Sequence, residues 1–294
     1  KLLSGELATV LTGRHLDLVI WPLSFQEFLE FEGIRWENKI EFLKKEIKVK
    51  AALHRYMEFG GFPKVVLNKE KAREILLTYF EDILTKDIIQ RYKVRKTAKL
   101  RALAKFYITN IAAPVTSTST SKVLELSDDT VDKFSEYFEE AYLLHFLRRF
   151  SFKVREQEKS PRKVYAVDVG LANAVGFRFS KNLGRLAENL VFLHLKRNQS
   201  PNNFLELFYW KDYSGKEVDF VLKERNRVIQ LIQVCWNLYD FSTKKRELRS
   251  LIKASKELNC NNLLVITEDY EAMEEIKGKK IKFIPLWKFL LNIS

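Results

Sequence analysis

The sequence has few cysteines, and its hydrophobic runs are short. Cys235 and Cys260 are the only two cysteines in 294 residues, and each lies within an apolar run. This content excludes a disulfide framework and favours a reducing compartment, so we expect a cytoplasmic protein. No apolar run approaches the roughly 20 residues that are needed to cross a bilayer. We therefore expect no membrane partner.

Metal-binding and phosphate-binding motifs are scarce as well. The histidines are too scattered to be zinc ligands: His15, His54, His145 and His194. No segment matches Gly-x-x-x-x-Gly-Lys-Ser/Thr, the loop that holds nucleotide phosphates, so we expect the chain alone to bind no ATP. The segment Lys1–Glu6 has neither an initiating Met nor a signal-peptide core. We therefore expect further sequence before Lys1.

Positive charge is abundant. The net charge is +13 and the isoelectric point is near 9.5. Such a balance favours a polyanionic partner, and DNA is the leading candidate. A lysine-rich surface in a lysine- and glutamate-rich proteome is the alternative. Basic residues cluster in four places, namely 91–96, 148–155, 244–246 and 277–282.

Residues 98–170 contain three helical patterns followed by two β-rich runs. Leu100–Ile111 is amphipathic, a second short helix is expected at the Thr/Ser run 116–121, and Ser127 caps a third. The β-rich runs are 143–150 and 163–167. This order is typical of a winged helix-turn-helix, whose third helix lies in the DNA major groove.

The third helix and the wing lead to different predictions about DNA binding. The helix carries Thr130 and Lys133 but is otherwise acidic, which suits protein docking as well as DNA recognition. The wing is basic, and its side chains are expected to contact phosphates: Lys153, Arg155, Arg162 and Lys163. We predict nucleic-acid contacts from these six residues, with protein docking or homo-oligomerisation as the alternative.

The remaining sequence, from residue 171, alternates helices and strands and predicts a mixed sheet flanked by helices. Glu188 lies on the apolar face of a helix, and Asp219 shares a strand face with Glu217. The next strand carries Gln233 and Cys235 on one face. A buried carboxylate needs a metal or a charged partner, so the four residues Glu188, Asp219, Gln233 and Cys235 are the candidate catalytic group.

This pattern resembles the restriction endonuclease-like, or PD-(D/E)XK, fold over about residues 184–269. Such nucleases hold Mg²⁺ on carboxylates beside a lysine, so Glu188 and Asp219 are the expected metal ligands if there are any. Gln233 stands where the resemblance implies a second acid, and Cys235 stands where it implies the lysine. We expect a degenerate, inactive site. An active Mg²⁺-dependent endonuclease with a relocated lysine, Lys211 or Lys216, is the alternative.

Several motifs in order resemble archaeal AAA+-type ATPases across nearly the whole chain. They are Thr12-Gly13-Arg14, Pro22–Phe28, Gly60–Pro63, Tyr79–Tyr92 and Val164–Ala172. The resemblance implies a multidomain fold: the end of an ATPase core over 1–23, a helical lid over 24–97, a winged helix over 98–170 and an α/β nuclease-like domain with a mixed sheet over 171–294. It implies ATP and Mg²⁺ for a full-length member but not for this chain alone, and Arg14 as a nucleotide sensor.

Overall fold

The computed structural model describes residues 19–176, 182–199, 204–238 and 240–293. Arg14 and most of the segment 1–23, the expected end of an ATPase core with its last helix and strand, lie outside these residues. Residues 19–23 form no strand. Within the described ranges, no helix is long and apolar enough to cross a membrane.

The N-terminal region is helical, as the periodicity predicts. The first described helix begins after Ser24, whose side chain accepts from the Glu27 N–H while the Glu27 carboxylate accepts from the Ser24 N–H. These two hydrogen bonds form a capping box. The helices of this region are α1 (Phe25–Phe31), α2 (Lys39–Phe59), α3 (Pro63–Leu67), a 3-10 turn (Lys69–Lys71), α4 (Ala72–Asp82) and a π-helix (Ile83–Gln90).

A glycine turn after α2 contacts a distant aspartate. Gly60 has φ +75°, and a Cβ there would lie 2.0 Å from the Asp168 Oδ1 atom. The Gly61 N–H donates to Asp168 Oδ2 at 2.6 Å, and the other oxygen accepts from the Leu171 N–H at 2.9 Å. Burial raises the pKa of Asp168 to about 6. Only glycine permits this approach, so the turn joins the helical region to the segment after residue 166.

The middle of the chain combines helices with a small antiparallel sheet in the strand order β1-β3-β2. The Thr/Ser run forms a helix, as expected, and the polar stretch before Arg162 contains a short helix that the sequence pattern did not predict. The elements are α5 (Thr97–Thr109), β1 (Pro114–Val115), α6 (Ser117–Leu124), α7 (Asp128–Glu140), β2 (Leu144–Leu147), α8 (Val154–Lys159) and β3 (Arg162–Ala166).

The C-terminal region contains a six-stranded mixed sheet in the order β4-β5-β6-β7-β9-β8. The pairs β6–β7 and β7–β9 are parallel and the other pairs are antiparallel, which confirms the predicted mixed sheet. The elements are α9 (Val169–Val175), α10 (Leu183–Arg197), β4 (Leu205–Lys211), β5 (Glu217–Glu224), β6 (Arg227–Val234), α11 (Phe241–Glu257), β7 (Leu263–Thr267), β8 (Ala272–Ile276), β9 (Lys279–Pro285) and α12 (Leu286–Leu290).

One hydrophobic core runs through the N-terminal region, the middle of the chain and the C-terminal region. It includes Tyr56 of α2, Leu103 of α5, Tyr165 of β3 and Phe192 of α10. A second cluster lies between the six-stranded sheet and α11. Because α10 packs against β3 on one side and β6 on the other, the small sheet and the large sheet meet at a buried boundary. The candidate site lies at this boundary.

Candidate functional site

A single lysine lies at the centre of the predicted acidic group. The Lys163 Nζ atom is 2.9 Å from Glu188 Oε1, 2.7 Å from Glu217 Oε1 and 2.8 Å from Asp219 Oδ1. The Lys163 side chain is 1% exposed. An ammonium group has three N–H donors, and here each of the three has a carboxylate oxygen within hydrogen-bond distance.

The surrounding elements explain how the four charges meet. Lys163 belongs to β3, the central strand of the small sheet, where it pairs with Leu147 on one side and Pro114 on the other. Glu217 and Asp219 are two positions apart on β5 and therefore share a face of the large sheet. Glu188 lies in the buried middle of α10, between the two sheets.

The Tyr165 side chain, which is itself stacked on Phe192, holds the Glu188 carboxylate in place. The Tyr165 hydroxyl donates to Glu188 Oε1 at 2.7 Å. The Tyr165 ring stacks on Phe192 at a centroid distance of 4.2 Å with an interplanar angle of 4°. Lys163 and Tyr165 are two residues apart on β3, so the same strand face supplies both the cation and the hydroxyl donor.

Burial and charge determine the protonation of the cluster. Burial, reinforced by the nearby Asp219 charge, raises the pKa of Glu188 to about 8. Burial also acts to raise the pKa of Glu217, but the Lys163 and Lys211 charges outweigh it and lower that pKa. Burial opposes the charge on Lys163, yet the carboxylates hold the pKa of its ammonium well above its usual value. A proton on Glu188 therefore removes the excess negative charge around a permanently charged Lys163.

Gln233 and Cys235, the two altered positions, have different surroundings. The Gln233 side chain accepts from the Asp219 N–H at 3.3 Å and donates to Glu247 Oε2 at 2.8 Å, so it belongs to the cluster. Strand β6 ends at Val234, whose N–H donates to Asp219 Oδ2 at 2.9 Å. Cys235 follows the strand, and its Sγ contacts the Asn237 carbonyl at 3.8 Å. Both side chains are buried, and the Cys235 N–H donates to the Ile266 carbonyl of β7 at 2.8 Å, so the expectation that Gln233 and Cys235 share one face stays a prediction.

Cys235 has no nucleophilic character in this position. Burial, together with the Glu247 and Asp219 charges, raises the pKa of its thiol to about 11. The thiolate is the reactive form of cysteine, and it is a small minority at neutral pH for such a value. Cys235 therefore supplies neither the electrostatic role of a lysine nor a nucleophile.

The arrangement does not fit a metal ion. Carboxylate oxygens at about 2.1 Å would be needed to hold Mg²⁺, but here they surround an ammonium nitrogen at the distances of hydrogen bonds. Across the described ranges, no group of three or more His, Cys, Asp or Glu side chains is arranged to hold a metal. Glu188 and Asp219 therefore act here as partners of a lysine.

The six predicted nucleic-acid contacts are not equivalent. Lys163 is enclosed by carboxylates, so its predicted phosphate contact is wrong: its ammonium cannot reach a ligand from solvent. Arg162 binds Asp132 at 3.0 Å, and the Thr130 hydroxyl pairs with Ser127 at 2.7 Å. Lys133, Lys153 and Arg155 are exposed, and Lys153 also pairs with Glu156 at 3.2 Å. Apart from Lys163, all the predicted contacts stay predictions: Thr130, Lys133, Lys153, Arg155 and Arg162.

The sequence raised the possibility of a relocated lysine, Lys211 or Lys216. The lysine at the centre of the cluster is instead Lys163, which belongs to β3. Lys211 pairs with Glu217 Oε2 at 2.9 Å and lies at the edge of the cluster. Lys163 is the member of the cluster that sequence patterns assigned elsewhere, whereas Glu217 was placed on the strand face of Asp219 but outside the candidate catalytic group. The available signal was Lys163 itself, because it opens the apolar run 164–167 and shares a strand face with Tyr165.

Two relatives align with nearly the whole of this chain. It is 35% identical over 305 aligned residues to "Uncharacterized protein MJ1544" of Methanocaldococcus jannaschii, covering 99% of this chain and 67% of that protein. The chain belongs to the family of MJ1544. An uncharacterized protein of Haemophilus influenzae is 28% identical, covering 98% of this chain and 68% of the relative.

Two family models and one solved structure are also similar. "Domain of unknown function (DUF8612)" matches residues 50–183, and "Domain of unknown function (DUF4143)" matches residues 183–289. A chain of a "Refined half-complex from tetradecameric assembly of Thermococcus gammatolerans McrB AAA+ hexamers with bound McrC" is 14% identical with a TM-score of 0.27, over 65% of this chain and 51% of that one. A TM-score this low does not establish a shared fold.

Proposed function

We propose that this chain is a DNA-associated regulatory part of an AAA+-type ATPase, and that its nuclease-like domain does not cleave DNA. The observation that carries the second half of this proposal is the Lys163 ammonium between Glu188, Glu217 and Asp219. A catalytic metal would need those same oxygens to activate water and to neutralise the developing charge on a phosphate. With the lysine in place, the domain serves as a structural and binding unit.

The order of elements supports a winged helix in the middle of the chain. Helices α5, α6 and α7 precede the hairpin of β2 and β3, and the strand order β1-β3-β2, with a connection between β2 and β3 that contains α8, fits the arrangement of a wing. Strand order alone does not determine function, so the DNA role rests on charge. The net charge of +13 supports a polyanionic partner.

The ATPase association is supported by two motifs of the resemblance. The Gly60–Gly61 turn and the Asp168–Gly170 segment are in direct contact: a Cβ on Gly170 would lie 2.0 Å from the Phe59 carbonyl oxygen. The two relatives are longer than this chain, which spans 67% and 68% of their lengths. A nucleotide-binding domain that uses ATP and Mg²⁺ would belong to the remaining part.

Plasmid cleavage tests the inactive site. Supercoiled DNA is incubated with the protein and with Mg²⁺ or Mn²⁺ over a range of concentrations, and the products are separated on a gel. We expect no nicking, because no carboxylate of the cluster is free to hold the metal. Cleavage that disappears in the Asp219→Asn variant would overturn the proposal and restore an active endonuclease.

A second candidate, protein docking through α7, is favoured by one specific observation. This helix carries six carboxylates and one lysine, a net charge of −5, which repels DNA. The Tyr92 ring also stacks on Tyr137 of α7 at 3.8 Å, so part of its outer face is covered by the helical region. Binding to DNA that shows no dependence on salt concentration, or no binding at all, would favour docking over the DNA role.

A further inference from the structure

Two aromatic side chains are exposed on loops that lie side by side. Phe152 follows β2 and is 79% exposed, and Tyr213 lies in the turn between β4 and β5 and is 94% exposed. Single exposed apolar residues are ordinary and need no explanation. Two exposed aromatic rings on neighbouring loops, each beside cationic side chains, do call for an explanation.

Arg149 and Phe150 hold the two loops together. The Arg149 guanidinium donates to the Lys211 carbonyl and lies 5.8 Å from the centroid of the Tyr213 ring. The Phe150 N–H donates to the Tyr209 carbonyl at 2.6 Å. The Phe150 ring is buried, and its centroid lies 5.1 Å from that of Phe152. The loops therefore form one surface that spans the small and the large sheet.

The charge of this surface is opposite to that of α7. Residues 148–162 contain six arginine or lysine side chains and two glutamates, a net charge of +4 over 15 residues. Lys153 and Arg155 are exposed at the tip, beside Val154, which is 71% exposed. Since α7 has a net charge of −5, a polyanion that approaches the middle of the chain is attracted to residues 148–162 and repelled by α7.

We propose that residues 151–159 and the turn 212–216 form a binding surface for single-stranded DNA. Phe152 and Tyr213 stack on unpaired bases, while Lys153 and Arg155 contact the phosphates. Stacking of bases on aromatic side chains combined with a basic track is the usual mode of binding to single strands, and every base can take part in it. This inference rests on the proposed DNA association and specifies its surface and its substrate.

Unpaired DNA is favoured over duplex because of the shape and chemistry of the surface. Two protruding loop tips offer ring faces, which are useful only to bases that have left a double helix. A duplex would use the cations but would leave both rings without a role, apart from a wedge into the minor groove. The prediction is therefore a preference for single strands that depends on the rings.

Fluorescence anisotropy with a labelled oligothymidine and with a duplex of the same length tests the surface. We expect Phe152→Ala and Tyr213→Ala each to weaken binding to the single strand by at least about fivefold, the lower end for loss of one stacked base. Phe204→Ala is the matched control, because Phe204 is 60% exposed beside Arg225 but precedes β4 at the end opposite to Tyr213. We expect that variant to bind like the unaltered protein.

Salt dependence tests the cations separately. In Lys153→Gln/Arg155→Gln, the slope of log affinity against log salt concentration should fall by about 1.4 for single strands, since each lost phosphate contact contributes about 0.7. Lys64→Gln, at an exposed position of α3 far in sequence from residues 151–159, should leave the slope unchanged. Equal binding by the unaltered protein and both aromatic variants would overturn this inference while leaving DNA association intact. Binding to no DNA at any salt concentration would instead refute the proposed function itself.

Discussion

Replacing Lys163 by methionine removes the cation while keeping an unbranched side chain of similar length. Three carboxylates would then face one another at a buried boundary, with Lys211 still paired to Glu217 Oε2 but no longer any ammonium shared by all three. We expect a large loss of stability, because removal of one member of a buried ion pair leaves an uncompensated charge.

The expected magnitude follows from burial. Breaking a buried ion pair by removing one partner costs about 3–5 kcal/mol. Protonation of Glu188, whose pKa is about 8, relieves part of the repulsion, so we expect the lower half of that range near neutral pH. For a chain of 294 residues, about 1 kcal/mol corresponds to roughly 1.6 °C in Tm, so the variant should melt at least about 5 °C lower.

Urea denaturation followed by circular dichroism, with Lys211→Met as the control, measures this loss. Lys211 is 36% exposed and pairs with the same Glu217, so its removal should cost less than about 1 kcal/mol. Lys163→Met should also become sensitive to Mn²⁺, because the freed carboxylates can gather around a cation, whereas the unaltered protein should not.

Two results would refute this argument. One is a loss below about 1 kcal/mol for Lys163→Met, which would mean that the lysine is not a buried partner of the three acids. The other is stabilisation of the unaltered protein by Mn²⁺, which would mean that a metal displaces the ammonium and that the site can still become a metal centre.

Three further outcomes are expected. Gly60→Ala should destabilise the protein strongly, because its Cβ would lie 2.0 Å from Asp168. Gly33→Ala, at a similar φ of +71° with open space around it, should be destabilised only by the backbone strain, and thermal melts compare the two variants. Because burial raises the pKa of Glu188 to about 8, the contribution of this group to stability is full below pH 4.5 and falls by up to about 1.4 kcal/mol per pH unit as pH rises to 8; Glu188→Gln should remove this component of the slope in urea titrations at several pH values. Calorimetry should detect no ATP binding by this chain, and a micromolar dissociation constant would contradict that expectation.

Local signals predicted much of the fold. The capping box at Ser24, the turn at Gly60 and the helix at residues 116–124 follow from interactions among residues close in sequence, and each is present. The grouping of Glu188 with Asp219 also followed from pattern, because a carboxylate on a buried helix face needs a partner.

The partner of those acids could not be predicted in the same way. Lys163 precedes Asp219 by 56 residues and belongs to a different sheet, and in sequence it is one of several basic residues near a loop. A lysine in a loop-rich basic stretch is expected to have an exposed side chain. Only the packing of β3, as a central strand, against α10 determines that the Lys163 side chain points inward. The tertiary packing of β3 therefore buries Lys163, although its local sequence is indeed a basic stretch that favours exposure.

The lysine cluster also has a consequence for how this chain can be divided. The two matched families meet at residue 183, with Lys163 on one side and Glu188, Glu217 and Asp219 on the other. Cutting the chain there would leave one fragment with an ammonium group that has lost its partners and another with three carboxylates that have lost theirs. The position where the two family matches meet is thus not a boundary between electrostatically independent units, and substitutions at position 163 and at its three acidic partners should arise together among relatives.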